Sequence, residues 1–304
     1  MEPRPDTPLS FLQRLRAMLV GAVNQWFDDR ASSKGAALAF YTLFSLAPVL
    51  VIVLAIAGAV FGADAARGAI FDEMNGLVGP AGAEALQLLL ANARNPQAGA
   101  AATVAALALL AIGATTVFGE LKDSLDQIWQ VPPSRQSGIV IFLRTRLLSF
   151  GLILVLAFLL LVSLSVNAAL SVLQKIWSGY WQDAASVLLP LSSAISFAVI
   201  ASLFAAIYKL LPQVRLPWRD VWVGAFVTAG LFMVGKNLIG VYLGNSTVVT
   251  SYGAASSIIA LLLWVYYSAQ IFFLGAELTR QYALWFGSLR DAPRKEDQPE
   301  HWLK

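Results

Sequence analysis

A lysine and an asparagine, Lys236 and Asn237, interrupt the apolar run VTAGLFMVGKNLIGVYLG. A cation at the centre of a membrane-spanning helix costs about 2.5–3.5 kcal/mol, and less near an end. It is kept where it snorkels to the boundary, attracts an anion or lines a polar cavity. Three carboxylates, Glu120, Asp123 and Asp126, share the face of another segment, a spacing that two-metal phosphoryl chemistry can use. The same spacing suits a solvated face pairing with Lys122, which is the expected state of such a charged face. The one histidine, His301, stands near the C-terminus, too isolated to seed a metal site. There is no cysteine, hence no thiolate ligand and no cysteine nucleophile. Nucleotide-binding loops and serine-hydrolase elbows are absent from the sequence. No catalytic residue, metal or cofactor is expected, and a non-enzymatic role follows.

The elements that must position Lys236 are membrane spans. Of the 304 residues, 58% are hydrophobic and 13% charged, with a mean hydropathy of +0.68. Soluble domains carry about 25% charged residues. Six apolar runs reach the roughly 20 residues that cross a bilayer core. They fall at about 37–61, 99–118, 147–171, 186–211, 221–243 and 253–278. Backbone groups in lipid need internal partners, so these runs are expected to be helices. The predicted fold is all-α, a six-span polytopic membrane protein with short amphipathic interfacial helices.

Lysine and arginine fall in two unequal sets. Seventeen lie in the N-terminal arm, the second and fourth connections and the tail, the last group including Arg280; three lie in the opposite connections. This bias puts both termini in the cytoplasm. Lys236 then lies in the outer half of the fifth span, about 10 Å below the boundary. Asn167 and Ser163 of the third span and Ser256 and Ser257 of the sixth are expected at that depth. Asn237 is adjacent, and Asn245, Ser246, Thr247 and Tyr252 line the connection above. The candidate substrate-binding set is Lys236, Asn237, Asn167, Ser256, Ser257 and Tyr252. Pro48 is expected to kink the first span. Glycines at 224, 230, 235, 240 and 244 suit close helix packing within the chain.

Around the membrane domain (36–285), residues 1–35 form an arm and 286–304 a charged tail expected to be disordered. In the arm, Leu9, Leu12, Leu15, Leu19, Val23 and Trp26 repeat at helical spacing with arginines between, as in a helix on the inner leaflet. In 120–133, Leu121, Leu125, Ile128 and Trp129 share a face, and two prolines follow. A further helical stretch is expected within the outer connection, 62–98.

Four motifs in order, KGAALAFYTLFSLAPVL, GATTVFGELKDSLDQIWQV, YKLLPQVRLPWRDVWVGA and YGAASSIIALLLWVYYSAQIFFLGAELTRQYA, resemble the YihY/BrkB family of bacterial inner-membrane proteins. The resemblance covers roughly residues 10 to 285 and implies six spans and a multi-pass place in the bacterial inner membrane. Members have been linked to virulence, serum resistance and lipid movement, and have carried a ribonuclease label that these residues do not support. The leading expectation is transport or flipping of an amphiphilic, anionic substrate such as a lipid or envelope precursor, with membrane lipids as partners and no nucleic acid. The alternatives are a non-transporting scaffold whose amphipathic segments recruit partners and, more remotely, a membrane-bound ribonuclease.

Overall fold

The computed structural model describes residues 10–43, 116–117, 119–131, 184–214, 216–245 and 256–290, with scattered positions between 54 and 87. Among these residues the regular elements are all helical. Four helices organise them: α1 (Phe11–Asp28), α2 (Ala184–Leu210), α3 (Trp218–Asn245) and α4 (Ser256–Trp285). Residues 31–43 and 119–128 are also helical. The last three expected spans coincide with α2, α3 and α4, each long and apolar enough to cross a membrane. The first three fall largely outside the described residues, as do the outer connection, Pro48 and the tail.

The arm begins with a capping box. The Ser10 hydroxyl accepts from Gln13 N, and the Gln13 side chain accepts from Ser10 N, which satisfies two of the N–H groups that a helix start leaves open. The helix ends at Asp29, and Arg30 adopts a left-handed φ of 51°. That one residue separates α1 from the 31–43 helix, with the Lys34 N–H returning to the Arg30 carbonyl. One side of α1 packs on α4, with Phe11 against Phe286 at 5.7 Å between ring centroids and Gly21 against Gln281. Its apolar side stays open, with Phe11 67%, Leu12 74% and Phe27 65% exposed. Such a stripe is the face an interfacial helix turns toward acyl chains.

Helices α3 and α4 run antiparallel and interlock by a reciprocal glycine–threonine exchange. Thr279 of α4 occupies the space above Gly224, and Thr228 of α3 occupies the space above Gly275. Each threonine returns its hydroxyl to its own helix, Thr228 to the Gly224 carbonyl and Thr279 to the Gly275 carbonyl, both at 2.7 Å. Tyr208 of α2 completes the knot. Its phenol donates to the Phe272 carbonyl at 2.7 Å and lies 3.2 Å from the Thr228 hydroxyl. Close backbone approach through small residues is how helices gain packing in lipid, where burial from water supplies no drive. Farther along, Gly235 backs on Tyr267 and Ile271. The expected intramolecular use of these glycines holds at 224 and 235.

The ends are pinned by polar clasps. Asp220, in the first turn of α3, accepts from the backbone N–H and hydroxyl of Ser288 at 2.8 and 2.7 Å. Between α2 and α3, Lys209 donates to the Leu216 carbonyl and lies over the Trp218 ring. The 119–128 helix docks beside this turn. Its Leu121, Leu125, Ile128 and neighbouring Trp129 are all buried in the main core, so the shared face read from sequence is an inward one. The helix stops at a turn through Gln130, φ 52°, two residues before the prolines.

Candidate functional site

Lys236 sits on α3 at helical spacing from Ala225, Ala229 and Phe232. Both alanines are buried, and Phe232 packs on the core. The exposed stripe of α3 is elsewhere, with Leu231, Val234, Leu238 and Val241 at the next repeating set of positions. Lys236 therefore shares the inward face and is half-buried, while Asn237 is exposed. Ser256 and Ser257 open α4; Asn167 and Tyr252 lie outside the described residues, so the structure does not bring the expected set together.

The structure does assemble a second, charged group that the sequence reading passed over. Helix α4 turns one side to α3 and the other to the N-terminal arm. On the arm side, Gln270 and Glu277 are seven residues apart, two turns along one face. Gln270 lies against Gly35, where any side chain would collide with its amide. Glu277 is fully buried. Arg280, 5% exposed, lies 4.0 Å from the Glu277 carboxylate, an ion pair too long for a hydrogen bond. Asp29 and Lys34, from either side of the left-handed turn, are the other charged neighbours of Glu277. Glu120, from the 119–128 helix, approaches Lys34.

These groups are short of partners. Among the described residues, both Glu277 carboxylate oxygens, Asp29 Oδ2, Lys34 Nζ, both Gln270 amide atoms and one Arg280 terminal nitrogen are buried without a hydrogen bond. A buried polar atom left so costs about 1–3 kcal/mol, and more when charged. Burial pushes the Lys34 ammonium below its ordinary value of 10.5, against the opposing pull of Asp29, Glu277 and Glu120. Glu277 lies eight residues inside the end of the span at Trp285, about 12 Å of helix. Ionisable groups at such depth are costly and mark functional positions by default.

This corrects the sequence reading at one place. Arg280, counted there with the tail cations, is an interior residue of α4, because the apolar helix runs on to Trp285. The visible signal was the i, i+3 pair of Glu277 and Arg280 inside FFLGAELTRQYALW, an acid and a base on one helix face. The carboxylates Glu120, Asp123 and Asp126 do not act as one group. Asp126 pairs with Lys122 at 2.6 Å and accepts from Gln213 N at 2.8 Å, while Asp123 is 80% exposed.

Residues 22–299 match the family described as Virulence factor BrkB. A UPF0761 membrane protein of Neisseria meningitidis serogroup B is 26% identical over 289 residues, an alignment covering 92% of this chain and 68% of the relative. A UPF0761 membrane protein of Albidiferax ferrireducens is 27% identical over 285 residues, covering 88% of this chain and 66% of the relative. One of Acinetobacter baylyi is 28% identical over 259 residues, with 84% and 59% covered. The chain thus spans about two thirds or less of the length of these relatives. No solved structure matches. With a family match across nearly its whole length and apolar helices long enough to span a bilayer, the chain is an integral membrane protein belonging to the BrkB virulence-factor family.

Proposed function

We propose that this protein moves an amphiphile with an anionic, phosphate-bearing head group across the bacterial inner membrane, without acting as an enzyme. The observation that carries the reading is the position of Lys236 on the inward face of α3, in line with Ala225, Ala229 and Phe232. A lysine that only tolerated the membrane would share the exposed face with Val234 and Leu238 and extend toward the head groups. Facing the bundle, it offers a compact charge to a passing phosphate. The charged interior of α4 supports the same reading, since spans built only for anchorage gain nothing from buried ionisable groups.

The scaffold alternative is less well supported. The 119–128 helix, one of its expected docking segments, spends its apolar face on the core. The ribonuclease alternative is weakened by the engagement of Asp126 with Lys122 and the Gln213 backbone.

The test is a scrambling assay in vesicles of phosphatidylethanolamine and phosphatidylglycerol carrying a trace of fluorescent phospholipid, with reductant quenching of the outer leaflet. Wild-type protein is expected to expose the inner-leaflet probe. Lys236→Ala is expected to slow that exposure about tenfold, the worth of a 1.4 kcal/mol loss of attraction, with unchanged folding. Equal rates in the two proteins would remove Lys236 from the mechanism, and no movement in wild type under any lipid composition would remove transport.

A further inference from the structure

The cluster on the arm side of α4 has a composition that narrows what it can hold. Its unused donors are the Arg280 guanidinium, the Lys34 ammonium and the Gln270 amide nitrogen. Its unused acceptors are the two Glu277 oxygens, Asp29 Oδ2 and the Gln270 amide oxygen. Two cations and two carboxylates thus share one buried layer. The Asp29 and Glu277 carboxyls lie within hydrogen-bond reach of each other, and the Arg280 guanidinium stands off at 4.0 Å.

Structural ion pairs in such surroundings close up and satisfy each other, because unpaired charge away from water is costly. Here the charges come from three elements: Asp29 from the left-handed turn, Lys34 from the first turn of the 31–43 helix, and Glu277 and Arg280 from α4. Their hydrogen-bonding atoms are unmet in this conformation, and a group that reached all of them would have to part the arm from α4.

A simple anion would satisfy Arg280 and Lys34 and be repelled by Glu277 and Asp29. A simple cation would have the reverse fate. A group carrying both an acceptor anion and a donor cation uses every atom of the set. We propose that this cluster binds a zwitterionic head group of the phosphoethanolamine type, its phosphate oxygens on Arg280 and Lys34 and its primary ammonium on Glu277, Asp29 and the Gln270 carbonyl. Arginine's planar fork matches phosphate oxygens. A primary ammonium has three N–H donors for the carboxylates, whereas a trimethylated one has none. The proposal names the head-group class for the transport reading, and it rests on that reading only for the claim that the bound molecule moves.

The full-length protein, purified in detergent, is titrated with phosphatidylethanolamine, phosphatidylcholine and phosphatidylglycerol of identical acyl chains, and binding is read by native mass spectrometry. Phosphatidylethanolamine is expected to bind about tenfold more tightly than either of the others, one decade per 1.4 kcal/mol. Glu277→Gln is expected to erase its advantage over phosphatidylglycerol. Lys34→Gln, at a half-buried position that leaves the fold intact, is expected to weaken both lipids alike. Glycerophosphoethanolamine, which has the head group without the chains, separates the sources. Competition by it supports a free zwitterion as ligand, and lipid binding that it does not disturb supports the lipid itself. Equal binding of the three lipids overturns the proposal, as does a preference that survives both Glu277→Gln and Lys34→Gln. A preference found in protein that scrambles nothing would leave the site standing and end the transport reading. Scrambling without any preference would do the reverse.

Discussion

The two sides of α4 solve opposite problems with the same kind of material. Toward α3, the buried hydroxyls of three described residues are spoken for: Thr228 and Thr279 fold back on their own helices, Tyr208 caps the Phe272 carbonyl, and glycines admit the threonines. Toward the N-terminal arm, Gln270, Glu277 and Arg280 are equally enclosed but keep unused hydrogen-bonding atoms. One side is finished as it stands, and the other is complete only with something added. On the arm side it is unmet bonding capacity, rather than burial, that singles out the candidate site.

Glycine replacements strain the α3 side most. Gly275→Leu or Gly224→Leu drives a side chain into Thr228 or Thr279, and overpacking of that kind costs about 1–3 kcal/mol, occasionally more. Loss of the monodisperse peak in size-exclusion chromatography is the expected readout. Gly230→Leu is the control, because nothing lies within 4 Å of its would-be Cβ, and it is expected to behave as wild type.

The next effect is one of sign. Joint replacement of Glu277 and Arg280 by leucine is expected to raise thermal stability by about 1–4 kcal/mol, as when buried ion pairs give way to apolar packing, while abolishing head-group preference. A lower melting temperature in that double variant would mean the pair holds the fold together, and the two sides of α4 would then be alike.

A smaller change is expected on the finished side. Tyr208→Phe removes the added donor from the Phe272 carbonyl, which keeps its own helix bond, and should destabilise by about 0.5–1.5 kcal/mol, measured by the same thermal melt, with lipid binding unaltered.

The smallest effect is a pH dependence from Lys34. Its proton is held less tightly in the folded state than at the ordinary value of 10.5, so the unfolded chain binds more protons in the interval between the two values. Stability is therefore expected to rise with pH across that interval and level off above 10.5. Lys34→Gln should flatten this alkaline rise in a melting series.

Much of the framework was legible from pattern. Long apolar runs predicted α2, α3 and α4, and the spacing of Leu121, Leu125 and Ile128 predicted one shared face. Periodicity gives a face but not its neighbour, so the sequence left open what that face would meet. Lys236 was conspicuous because a charge stands out in an apolar run. Glu277 and Arg280 were not, because they fall where hydropathy declines and a span is assumed to end. Their partners Asp29 and Lys34 lie some two hundred and fifty residues earlier, and no one-dimensional signal connects a turn in the arm with the interior of the last helix.

That turn has a further consequence. Asp29 ends α1 and also faces Glu277, so the seating of the surface helix and the occupancy of the buried cluster are two readings of one residue's position. If filling the cluster fixes Asp29, then whatever fixes α1 against the bilayer must favour filling, by the same factor in each direction. The composition of the leaflet under Phe11, Leu12 and Phe27 would then act as an effector of a site it never touches.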